Sequence, residues 1–198
     1  MARRHLSRAA AEDGNHLATV VPMTKIDTSR RASAVYRRFT ALEEKAASVY
    51  VEFASRFSPE NASLSSFWLN MAMDEKQHAG LLQFCLREGL FAEEIPDAAE
   101  IRKLTDVFRR LEKRAADPKL TVESAFRLAI ELESTEINSI YCHLTSSLHS
   151  SMYLLRKKIA TLLPEHVGEL LKAARKFGVQ NHALEELRRL KERSCSAY

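Results

Sequence analysis

Four glutamates and one histidine stand where long helices should carry apolar residues, Glu43, Glu75, His78, Glu133 and Glu136, and a second histidine, His182, falls near their level. Carboxylate and imidazole together make a cation-binding donor set, in which oxygens neutralise the charge and ring nitrogens fill terminal positions. Glu75-Lys76-Gln77-His78 has the E-x-x-H spacing, which sets two donors on one helix face because residues three apart project together. Such a tetrapeptide arises by chance in a glutamate-rich chain, and what singles this one out is its level relative to the other acids. Glu43 lies 16 residues before Pro59 and Glu75 lies 16 after it. In an antiparallel hairpin turning there, each stands about 24 Å from the turn. Glu133 and Glu136 fall halfway along a third expected helix, and His182 falls a little past the middle of a fourth.

The elements that must position these groups read as helices. Val35, Phe39, Leu42, Ala46, Val49 and Phe53 recur at alternating steps of four and three, predicting a helix over about 33–57. Ser58-Pro59 stops it, and Asn61 or Ser63 can cap the next, whose stripe is Leu64, Trp68, Met71, Glu75, His78, Leu82 and Cys85. Gly89 ends that helix. A long connection follows with its own short amphipathic segment, Ile101-Leu104-Val107-Phe108-Leu111, suiting a crossover between two hairpins. Thr121 is a fitting N-cap for a third helix with the stripe Val122, Phe126, Ala129, Glu133, Glu136, Ile140 and Leu144. A fourth is expected from Pro164, a favoured first-turn residue, to about Arg193. Residues 149–163 either extend the third helix or form a short one.

Composition agrees with an all-α class. Five Gly and five Pro in 198 residues are few for a fold of many tight turns. No apolar run reaches the ~20 residues of a membrane span, and the opening MARRHLSRAA lacks the apolar stretch of a secretory signal, so a cytoplasmic protein is the expectation. Cys85, Cys142 and Cys195 are odd in number and lack C-x-x-C spacing, which argues against a disulfide framework or a cysteine metal knuckle. Cys85 and Cys142 read as packing residues on helix faces and Cys195 as a tail thiol. Residues 1–40 hold eight Lys/Arg against three acids, a surplus of +5 in a chain of net charge +4. Residues 1–30 therefore read as a basic, flexible arm, and 31–198 as one bundle. No aromatic residue precedes Tyr36 to stack on bases, so nucleic acid is not an expected partner.

Acids within apolar stripes need compensation, because burying an ionised carboxylate unpaired costs several kcal/mol. Metal binding, shared protons at raised pKa, or an inward base such as Arg175 would each supply it. His5, His16, His143, His149 and His166 fall outside the expected layer and carry no assigned role.

These residues also resemble a family. Glu43-Glu44-Lys45-Ala46-Ala47-Ser48-Val49-Tyr50, then Phe53-Ala54-Ser55, is similar to the E-x-x-A-x-x-x-Y and F-A-S of the first rubrerythrin helix. Glu75, His78 and Ala79 match E-x-x-H-A of the second. Glu133-Ser134-Thr135-Glu136 with Tyr141 matches E-x-x-E followed five residues later by Tyr in the third. The chain thus resembles rubrerythrins over about residues 33–193, which implies a ferritin-like four-helix bundle with a di-iron, or alternatively manganese, centre. The resemblance implies Glu43, Glu75, His78, Glu133, Glu136 and His182 as ligands, with Glu136 an alternate one and Tyr50 and Tyr141 beside them. It implies redox chemistry with peroxide or dioxygen, a separate electron donor and a homodimer. Two features depart from the pattern: the fourth helix reads Val179-Gln180-Asn181-His182 where E-x-x-H belongs, and no rubredoxin-like C-x-x-C module is present. They motivate the alternative of a degenerate bundle without turnover that binds a partner.

Overall fold

The computed structural model describes residues 25–92, 94–141, 144 and 153–196, all helix apart from short connections. Six α-helices follow in order: α1 Lys25–Phe57, α2 Ala62–Glu88, α3 Ala98–Ala115, α4 Val122–Glu136, α5 Tyr153–Lys176 and α6 Asn181–Ser196. A π-helical turn, Ile137–Tyr141, continues α4. None of the described helices is long and apolar enough to cross a membrane.

α1 and α2 form the expected hairpin. The Asn61 side chain accepts from the Leu64 N–H at 3.0 Å, and Gly89 ends α2 in the left-handed region (φ 66°). The Leu90 N–H then donates to the Cys85 carbonyl at 2.8 Å, closing the C-terminal turn. The Ser65 hydroxyl donates to the Ala54 carbonyl at 2.7 Å, and Lys76 pairs with Glu44. Both links straddle the turn symmetrically, so the register brings Glu43 opposite Glu75.

The crossover helix α3 is longer than the sequence suggests, at 18 residues. Asp97 and Glu100 start it with a reciprocal capping box: the Asp97 carboxylate accepts from the Ala99 and Glu100 N–H groups, and the Asp97 N–H donates to Glu100. Leu104, Phe108 and Leu111 turn inward toward α1 and α4. Lys45 and Glu112 (2.5 Å) and Arg114 and Glu131 (2.5 Å) tie α3 to α1 and α4.

Two expectations need correction. Residues 25–30, assigned to a flexible arm, are the first turns of α1, while 1–24 lie outside the described residues. The expected fourth helix from Pro164 to Arg193 is instead two helices. Pro164 sits inside α5, where it cannot donate to the carbonyl four residues earlier, yet the helix continues through it. The break comes at Gly178 (φ 73°), where the Val179 N–H reaches back to the Ala174 carbonyl at 3.0 Å and closes the helix end. His182 therefore belongs to α6, a separate element.

The core fills the space between α1, α2, α4 and α5. Trp68, Phe53, Phe67 and Phe126 form an aromatic knot, with the Trp68 ring 4.7 Å from Phe67 and from Phe126 and 5.0 Å from Phe53. Cys85 is buried in the same core, and its thiol is pushed up to about 11 by burial. Cys142 lies outside the described residues.

Candidate metal centre

One polar layer interrupts this core. Glu43 and Glu75 are 0% exposed, Glu133 and Glu136 1%, His78 2% and His166 3%. α1 contributes Glu43, α2 Glu75 and His78, α4 Glu133 and Glu136, and α5 His166. Each occupies a position that its helical stripe would otherwise give to an apolar side chain.

The donor atoms converge on Glu75. Its Oε2 lies 2.9 Å from His78 Nδ1, which is 3.6 Å from Glu43 Oε2. Its Oε1 lies 3.0 Å from His166 Nε2, which is 2.9 Å from Glu133 Oε1. Two groups result, Glu43–Glu75–His78 and Glu75–Glu133–His166, and within each group the donor atoms lie within 4.8 Å of one another. Donors bound at ~2.0–2.2 Å around one ion are separated by no more than about twice that distance, so each group has nearly the compactness of a coordination shell. These buried Glu/His groups can hold a metal ion.

The surrounding side chains orient the donors. The Tyr50 hydroxyl donates to Glu133 Oε1 at 2.5 Å. Asp74 Oδ2 lies 3.4 Å from His166 Nδ1, on the far side of the ring from the cluster, so Nε2 is the nitrogen that faces inward. A carboxylate behind a histidine is a common way to fix ring orientation and raise ligand basicity. The Tyr141 ring stands edge-on to His78, with centroids 5.6 Å apart. The π-helical turn explains its position: at 3.6 residues per turn a residue five beyond Glu136 would point about 140° away. Widening the turn to i→i+5 bonding brings it back over the same face.

Burial and the charges within the layer shift its titrating groups. Burial, with the charges of Glu75 and Glu43 nearby, raises Glu136 well above the carboxylate range, and burial outweighs the pull of His78 to raise Glu43 to about 8. Burial would also raise Glu75, but the imidazoliums of His166 and His78 on either side outweigh it and hold Glu75 below the usual range. Burial would deprotonate His78, yet Glu75 and Glu43 outweigh it and raise the ring to about 10. His166 is raised likewise, by Glu133 and Glu75 against burial. At neutral pH the metal-free layer therefore holds protons on Glu43, Glu136, His78 and His166 around the ionised Glu75. Arg175 is exposed and takes no part in it. Both oxygens of Glu43, and Oε1 of Glu136, remain buried without a hydrogen-bond partner. Orphaned carboxylate oxygens beside two imidazoles are acceptors that a bound cation could satisfy.

The structure brings together Glu43, Glu75, His78, Glu133 and Glu136, with Tyr50 and Tyr141 beside them. It does not bring His182. That side chain is 73% exposed on α6, where it faces Glu186 at 3.4 Å, because Gly178 ends α5 before it. The second histidine of this layer is His166, to which the sequence reading assigned no role, and the residue three before it is Leu163. The departure from E-x-x-H thus falls at Leu163, not at Val179. Val179 is buried in the α5–α6 turn.

His78 and His166 also border a cleft of about 460 Å³ between α2 and α5, whose walls include Asp74, Glu165 and Glu169. No family model, curated protein or solved structure matches the chain.

Proposed function

We propose that this protein is a ferritin-like, rubrerythrin-type bundle that holds two metal ions, iron or alternatively manganese, in its buried layer. The observation that carries the reading is the shared carboxylate: Glu75 turns one oxygen to each of two donor groups. Glu43 and His78 would complete one position, and Glu133 and His166 the other. Glu136, buried beside both with an unpartnered oxygen, would be the alternate ligand.

When bound, such a pair supplies redox chemistry toward peroxide or dioxygen, since carboxylate-rich ligation favours the higher oxidation states. The chain's own residues do the rest. Glu75 spaces the two positions, Tyr50 restrains Glu133 through its hydroxyl, and the Asp74 carboxylate stands 3.4 Å behind His166 Nδ1. The cleft between α2 and α5 leads from solvent to both imidazoles and gives a small oxidant a way in.

Elemental analysis of protein produced with iron and purified without chelators tests the proposal. One to two metal ions per chain, with oxidation of Fe(II) or consumption of peroxide, is the expected result. Reconstituted protein holding less than about 0.2 ion per chain would reject it, because a preformed buried site of this donor count binds tightly at neutral pH. Leu163 in place of the second E-x-x-H glutamate favours a second reading, a bundle that binds metal or only protons and has no turnover. Full metal content with no reaction toward Fe(II), peroxide or dioxygen would select it.

A further inference from the structure

Away from the carboxylate layer, four arginines gather where the N-terminal half of α1 meets α3. Arg31 and Arg38 on α1 are seven residues apart, as are Arg102 and Arg109 on α3. Seven residues make about two turns, or ~10.5 Å, so each helix presents its two arginines on one face. All four border a single cavity of about 540 Å³, with Val35 and Ile101 also in its lining. Ligand pockets run from ~300 to ~1,000 Å³.

The charges in this groove are only partly used. Arg109 pairs with Asp106 at 2.8 Å, and Arg31 donates to the Pro96 carbonyl at 3.4 Å. Asp97, the other acid in the lining, spends its carboxylate capping α3, and those backbone hydrogen bonds hold it below the usual range. Arg38 and Arg102, one on each wall, make no ion pair or hydrogen bond among the described residues. No aromatic ring lines the groove.

We propose that this groove binds a small anion carrying two or more linked phosphoryl groups, gripped between Arg38 and Arg102. Guanidinium forks match phosphate oxygens two at a time, and opposed walls suit a chain of phosphates better than a single one. Without stacking platforms, a nucleic-acid strand has no hold for its bases. A concave slot between two helices is also a poor surface for a membrane. The phosphates can belong to a free polyphosphate or to a nucleotide, and the groove reads only the chemistry they share.

Titration calorimetry on the full chain in ~150 mM salt, where weak exposed-charge attraction is largely screened, tests this. Inorganic tripolyphosphate, ATP and orthophosphate are the probes, applied to the unaltered protein, to Arg38→Gln/Arg102→Gln, and to the control Arg87→Gln/Arg188→Gln. Saturable tripolyphosphate binding is expected, with orthophosphate weaker, a loss of about ten-fold or more in the groove variant and less than about two-fold in the control. Equal affinity for tripolyphosphate and ATP identifies a phosphate-chain site, and ATP tighter by ten-fold identifies a nucleotide; both support the proposal. Absence of binding at ~1 mM, binding kept by the groove variant, or equal losses in both variants would overturn it. So would tighter binding of a single-stranded oligonucleotide or of anionic phospholipid vesicles than of tripolyphosphate. Because Arg38, Arg87 and Arg102 are exposed and Arg188 is only half-buried, circular dichroism should show both variants folded.

Discussion

The two donor groups around Glu75 are built in different ways. In the first, Glu75 and His78 come from adjacent turns of one helix, and their 2.9 Å contact follows from α2 forming at all. Only Glu43 must arrive from another helix. In the second, Glu75, Glu133 and His166 come from α2, α4 and α5, and the residue three before His166 is a leucine. Nothing local assembles that group. The first position is thus made by secondary structure and the second by tertiary packing, which makes the second depend on how well α5 is seated.

Removing what the groups share should have the largest effect. Glu75→Ala is expected to bring metal content below about 0.2 ion per chain by elemental analysis, since neither position keeps two carboxylates with an imidazole. His78→Ala and His166→Ala separate the halves: each should cost about one ion per chain, with affinity at the affected position falling about 100-fold or more. Equal loss of both ions from either variant would show that the halves are not distinct.

The pH dependence sharpens the comparison next. In the metal-free layer Glu43 is raised to about 8 and His78 to about 10, so at pH 7 both hold protons that an incoming cation must displace. Raising the pH removes those protons from the competition, so apparent affinity should climb by about ten-fold per pH unit for each proton released, with the Glu43 contribution levelling off above pH ~8. Competition titrations against a chelator between pH 6 and 9 measure the slope, and a flat profile would contradict the assignment of Glu43 and His78 to one position. The smallest effect expected is a gain: Leu163→Glu supplies a carboxylate three residues before His166 and should tighten the weaker of two resolved binding steps by about ten-fold.

How much of this was legible beforehand follows the same division. The α1–α2 hairpin and the common level of Glu43 and Glu75 could be read because both helices have explicit stops, at Ser58-Pro59 and Gly89, and clean apolar stripes between. Glu133 and Glu136 stood out by breaking a stripe. His166 was missed because Pro164, two residues earlier, reads as a helix start, and a start puts His166 at a helix end and not in a mid-bundle layer. The available signal was the stripe itself: Leu170, Ala174 and Phe177 face away from His182, whereas His166 lies four before Leu170 on their own face. Gly178 was the stop that should have separated α5 from α6, since a positive φ is where a helix commonly ends. The π-helical turn after Glu136 left no sequence mark, because widening a helix by one bond changes which residue faces inward without requiring a special residue type.

Trp68 is the only tryptophan in the chain, and it is fully buried. Tyr50 stacks on it at 5.7 Å with the planes 11° apart, and the same tyrosine hydroxyl is bonded to Glu133. The one strong ultraviolet fluorophore is therefore a single ring away from the carboxylate layer. Its emission is placed to report a change at Glu133 in real time without a label.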